Sequence, residues 1–296
     1  MDAMKPACTL RAHEATPAGM RRIANALIGD ALRRGRRTER DPAKTVHLFR
    51  TTTKRLRALL LLIRPVIART TFERENARLK LIADRLGPLR DRTVAVETLM
   101  ALGQSPEIVR RALPSICSRR SSLGSTPQSA LARAARELDQ ARARFLKLRI
   151  RGDGWEVIGP GLIKVYRQAR RRKHAAVSSQ RDLAFHRWRI RVKQLFYQLQ
   201  WLEAVWPQRF GRMLKRLRRL EENLGRDHDL LELRSLLRKI PVPSDGGAAI
   251  IRVLRLVEKR SRKLQQASER IGAKAFRESP RKFQRSCRRH WASWLQ

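Results

Sequence analysis

The constraint that bears hardest on this chain is a pattern written into it twice. Residues 46–57 read Val-His-Leu-Phe-Arg-Thr-Thr-Thr-Lys-Arg-Leu-Arg, and residues 185–196 read Phe-His-Arg-Trp-Arg-Ile-Arg-Val-Lys-Gln-Leu-Phe. His47 aligns with His186, Arg50 with Arg189 and Lys54 with Lys193, an offset of 186 − 47 = 139. Downstream, Leu86-Gly87-Pro88-Leu89-Arg90-Asp91 matches Leu224-Gly225-Arg226-Asp227-His228-Asp229, an offset of 229 − 91 = 138. Two separate motifs at nearly one offset mark a duplicated unit. The chain therefore reads as one domain over residues 10–275, made of two related halves at 10–121 and 159–275. Residues 122–158 join them, and a basic, aromatic helix at 276–296 follows.

Both halves are written at helical period, with no strand-like alternation, so the fold class is all-α. The spacing predicts helices over 17–37, 42–64, 70–86, 89–102, 106–121 and 128–149, then over 162–173, 180–205, 208–224, 227–239, 248–276 and 280–294. Breakers supply the boundaries: Pro65, Gly87-Pro88, the Gly-rich stretch 151–161, Pro207, Gly225 and the run 241–247. The longest apolar run, Ala58 to Ile63, is far too short to cross a bilayer. The three scattered cysteines form neither a disulfide framework nor a metal-ligand spacing, and a reducing cytoplasm suits them.

On a helix, His47, Arg50, Lys54 and Arg57 share a stripe beside the apolar stripe of Phe49, Leu56, Leu60 and Ile63. The second copy repeats this with His186, Arg189 and Lys193 beside Leu195, Leu199 and Leu202. A charged stripe on one helix is usually a solvated face. Here the same residue types recur at the same spacing, with almost no interspersed acid, which favours a binding face. Arg55 adjoins the first ridge. Lys80 and Arg218 each lie seven residues before the Gly of the second motif, and Arg170 belongs to the basic run that opens the second half. Composition names the partner class: 68 Lys and Arg against 26 Asp and Glu leave a net charge of +42, which calls for a polyanion. Arginine's planar fork suits phosphate oxygens.

The His-x-x-Arg-x-x-x-Lys blocks, each followed some forty residues later by Leu-Gly and then Asp, resemble the CHAD family, the conserved histidine α-helical domain. The resemblance runs from about residue 10 to about residue 275. It is closest over Arg50 to Arg57, and it is looser in the second half, where Gln194 and Phe196 stand at positions that are often basic in the family. It implies two pseudo-symmetric helical bundles around a basic central groove. It also implies binding of inorganic polyphosphate with no catalysis by the fold itself and no cofactor; a compatible further option is that a protein gripping polyphosphate in the cytoplasm resides on polyphosphate granules. The matching residues are His47, Arg50, Lys54, Arg55, Arg57, Lys80, Arg170, His186, Arg189, Lys193 and Arg218. No segment corresponds to the triphosphate-processing domain that some relatives carry.

Three other readings compete. His47, His186, Asp91 and Asp229 imitate a metal site, but surrounding cations oppose a divalent ion, and no P-loop or nucleophile-elbow motif occurs. Asp91 and Asp229 read better as helix N-caps after their glycines, the alternative being carboxylates that orient a groove arginine or histidine. The alternative function is nonspecific nucleic-acid binding, expected to be weak, because Phe49, Trp188 and Trp201 are placed for core packing rather than base stacking. The tail, with Trp291 and Trp294 among arginines, reads as a closing helix of the bundle.

Overall fold

The computed structural model describes residues 6–37, 41–103, 126–239 and 247–296, with the side chains of 90–93 and 247–249 excepted. Among these residues there are ten α-helices and no strand. They are α1 (Thr16–Arg37), α2 (Pro42–Ile63), α3 (Arg69–Arg85), α4 (Gly87–Met100), α5 (Pro127–Leu146), α6 (Trp155–Ser179), α7 (Asp182–Trp201), α8 (Pro207–Leu237), α9 (Gly247–Ala275) and α10 (Pro280–Trp294). The helix expected over 106–121 lies outside the described residues. None of the described helices is long and apolar enough to cross a membrane.

Several helix starts follow from a polar cap directly before a proline. Asp41, Thr126 and Ser279 each accept a hydrogen bond from the backbone N–H three residues on, at 3.1, 3.2 and 3.3 Å. Pro42, Pro127 and Pro280 then occupy the first helical position, where a missing N–H costs nothing.

The pivot of the fold is α2. It packs against α1, α3, α4 and α5, and also against α6 and α7 of the second half. Leu56, Leu59, Leu60, Leu62 and Ile63 are fully buried, and one continuous core cluster runs from Leu10 to Trp291. Gln198 of α7 donates to the carbonyl of Ala58, 3.0 Å away, which ties the two motif-bearing helices together. A smaller cluster joins Ala95 and Leu99 of α4 to Leu230 and Leu233 of α8 and Val253 and Val257 of α9.

Three features depart from the sequence reading. Gly225 does not end a helix, and α8 runs unbroken over 31 residues. A glycine costs about 1 kcal/mol inside a helix, and the long contacts of α8 with α7 and α9 outweigh it. The stretch 151–161 is only partly a break, because α6 begins at Trp155 and carries Gly159-Pro160-Gly161 inside it. Gly161 is there for proximity: a Cβ on it would stand 1.8 Å from the carbonyl oxygen of Leu62 on α2. Third, α5, read as part of the joining segment, packs on α1, α2 and α3. The tail forms α10 and closes the bundle against α6, with Phe283, Cys287 and Trp291 buried. Phe283 stacks on Tyr166 at 4.1 Å between ring centroids.

Candidate functional site: a cationic cavity between α2 and α7

Because α2 and α7 pack side by side, the basic edges next to their apolar stripes converge. A cavity of about 440 Å³ is lined by Arg50, Lys54 and Arg57 from α2 and by His186, Arg189 and Lys193 from α7. His228, Asp229 and Glu232 of α8 close it. The core stripes lie behind as expected: Phe49 is 3 % exposed, and Leu56, Leu60, Ile63, Leu195 and Leu199 are completely buried.

His47 and Arg55 face elsewhere. Both line a larger cleft of about 1520 Å³ together with Lys44, Arg226, Arg260 and Lys263. The two spaces share Val94 and Asp229 as a common rim. Helical drift accounts for the split: ten residues at about 100° each leave Arg57 roughly 80° round the helix from His47, and one axial length of about 15 Å away. The guanidinium of Arg55 also lies over Tyr197, 5.4 Å from its ring centroid.

Three of the predicted residues lie outside both spaces. Lys80 is exposed on α3, 3.9 Å from Asp84. Arg218 lies over the ring of Phe196 at 6.0 Å. Arg170 donates from Nε to the carbonyl of Phe276 at 3.3 Å, and so ties α6 to the turn before α10.

The cavity is not free of acid, contrary to the sequence reading. Five cations line it against Asp229 and Glu232, and Lys193 is hydrogen-bonded and ion-paired to Glu221 of α8. Burial pushes the Glu221 pKa up. Lys193, with Arg189 and Lys54 beyond it, more than offsets this and leaves the carboxyl below its ordinary value. Glu221 therefore stays charged and orients Lys193. Its signal in the sequence was weak, since it sits on a helix dense with both signs.

His228 was also missed. Its Nδ1 lies 3.2 Å from Nδ1 of His186, so one of these nitrogens carries the shared proton and the other accepts it. Burial first, then the charges of Arg189 and Arg187, hold the His186 pKa below its ordinary value. Those causes bias the His186 ring toward its uncharged form, and a phosphate entering beside it would favour an added proton.

The acids of the second motif are corrected as well. Asp229 sits in the middle of α8 on the cavity rim and is no N-cap. Asp227 is the buried one at 2 % exposure, accepting from Ser261 Oγ and from Gln265 Nε2. Asp91 falls among the residues whose side chains lie outside the described set. Among the described residues, no group of three His, Cys, Asp or Glu side chains could hold a metal ion.

The CHAD domain profile matches residues 19–238 of the chain. Among solved structures, PptA from Streptomyces chartreusis superposes with a TM-score of 0.52 at 16% sequence identity, covering 86% of this chain and 98% of that one. This likeness is one of fold. No curated protein matches.

Proposed function

This chain belongs to the CHAD family, and we propose that it holds inorganic polyphosphate, without cleaving it, in the cavity between α2 and α7. One observation carries the reading: Arg50, Lys54 and Arg57 meet Arg189 and Lys193 across a single space, although the two sets are some 139 residues apart in the chain. A linear polyanion suits such a wall, because each arginine offers two parallel charge-assisted hydrogen bonds and each lysine a mobile charge. The two helices would be equivalent members of a duplicated unit, with a pseudo-two-fold relation between the halves. Nucleic acid fits less well: Trp188 and Trp201 are completely buried and offer no stacking platform.

The test is calorimetric titration at physiological salt with tripolyphosphate, long-chain polyphosphate, ATP and duplex DNA. Long-chain polyphosphate binds tightest and displaces DNA, which displaces it poorly. Reversing Lys54→Glu together with Arg189→Glu lowers that affinity at least about 100-fold, at roughly 1.5–3 kcal/mol for each charge-assisted bond, while circular dichroism stays helical. Unchanged affinity in the double variant would place the ligand elsewhere.

A further inference from the structure

The hairpin of α6 and α7 carries a second group of cations on the other side of Gln194. Arg171 and Arg172 stand on α6, and Arg191 stands on α7. The register of the hairpin sets them opposite one another, as shown by Lys173 and Trp188, which both reach Gly272 on α9. Arg191 is half-buried and donates from Nη1 to Gln194 Oε1 at 2.8 Å. Burial, then the charges of Arg172 and Arg171, depress its pKa, so the three guanidinium groups are near enough to repel one another.

Several other partly buried arginines of this molecule are paired with a carboxylate. Arg144 is paired with Glu75, Arg209 with Glu278, Arg85 with Glu137 and Arg234 with Asp182. Among the described residues, no carboxylate forms an ion pair with Arg171, Arg172 or Arg191. A like-charge cluster, with Arg172 and Arg191 both half-buried, costs stability unless an anion from outside neutralises it. Gln194, the hydrogen-bond partner of Arg191, also lines the cavity between α2 and α7, as does the exposed Ile190. One side chain therefore separates the cluster from the cavity.

We propose that Arg171, Arg172 and Arg191 form an outer phosphate station, which takes the phosphates of a polymer after they leave the cavity over Ile190 and Gln194. The station rests on the polyphosphate reading of the cavity, and it makes the binding site longer than the cavity itself. A short phosphate chain fills the cavity and stops there. A long chain gains the extra contacts, and its affinity rises with length as long as the station is intact.

The experiment compares tripolyphosphate with long-chain polyphosphate by calorimetry, on the full chain and on two variants, Arg171→Glu with Arg172→Glu and, separately, Arg191→Gln. Arg171 is exposed and Arg172 half-buried on α6, and Arg191→Gln removes the charge while keeping a polar helix-compatible side chain; both variants are checked by circular dichroism. The expected result is tripolyphosphate affinity unchanged within about twofold, with long-chain affinity down about tenfold or more. Equal losses for both ligands, or no loss for the long chain, overturn the station and leave the cavity standing. A loss confined to duplex DNA overturns it too. If the unaltered chain binds neither phosphate polymer, the cavity reading fails first and the station falls with it.

Discussion

Asp227 lies in the α8–α9 interface, and the hydrogen bonds from Ser261 and Gln265 do not compensate its loss of water. Burial chiefly, with Asp182 nearby, pushes its pKa up to about 6, against the pull of Ser261, Gln265 and Arg234. The sign of the linkage follows. Between the ordinary value of 3.8 and about 6, the folded chain keeps a proton that the unfolded chain releases. Stability therefore falls as pH rises through that window, and the ionised carboxylate costs roughly 3 kcal/mol at neutral pH. Asp227→Asn is expected to melt higher than the parent at pH 7.5 and to lose most of that advantage at pH 4.5. Thermal melts that show the same gap at both values would mean the carboxylate is ionised throughout. At this scale the sequence was partly legible. Arg50, Lys54, Arg189 and Lys193 line one cavity in keeping with their spacing along each helix, whereas His47 turns to the neighbouring cleft. Asp227 could not be read, because its depth is set by α9, whose contacts no local spacing encodes.

The contact of α2 with α6 depends on the absence of one methyl group. Gly161 brings the α6 backbone onto the carbonyl of Leu62, and no side-chain movement can make room for a Cβ there. Gly161→Ala is expected to destabilise the protein by on the order of 3 kcal/mol, despite the better helix propensity of alanine, worth about 1 kcal/mol. Urea denaturation measures the change, and a neutral or stabilised variant would show that α2 and α6 sit farther apart. The same glycine explains a boundary that sequence reading misplaced. Gly159-Pro160-Gly161 looked like a break, yet packing recruited it into α6. Asp41-Pro42, Thr126-Pro127 and Ser279-Pro280 were dependable because capping is a local event. Gly225 misled for the opposite reason: its neighbours in space, not in sequence, keep α8 straight.

Over the whole molecule, a formal charge of +42 on 296 residues makes self-repulsion a standing cost. Salt alone should raise the melting temperature modestly by screening. Long-chain polyphosphate at about 100 times its dissociation constant should raise it by roughly 5 °C or more. That gain should shrink as sodium chloride is increased, because bound phosphates displace counterions. Differential scanning fluorimetry across a salt series reads both effects, and a thermal shift by the polymer that ignores salt would count against a charge-driven site. The all-α class was visible from periodicity. The division of the basic ridge between two spaces follows from helical drift along α2, but where the boundary falls was not visible, because Val94 of α4 and Asp229 of α8 form the rim between them.

Eleven of the 22 residues of α2 are buried, and the neighbouring edge of the helix supplies Arg50, Lys54 and Arg57 to the wall of the cavity. Inheritance therefore has little freedom there, since a change that suits one edge is checked by the other. A single substitution in α2 can thus loosen the core and reshape the cavity at once.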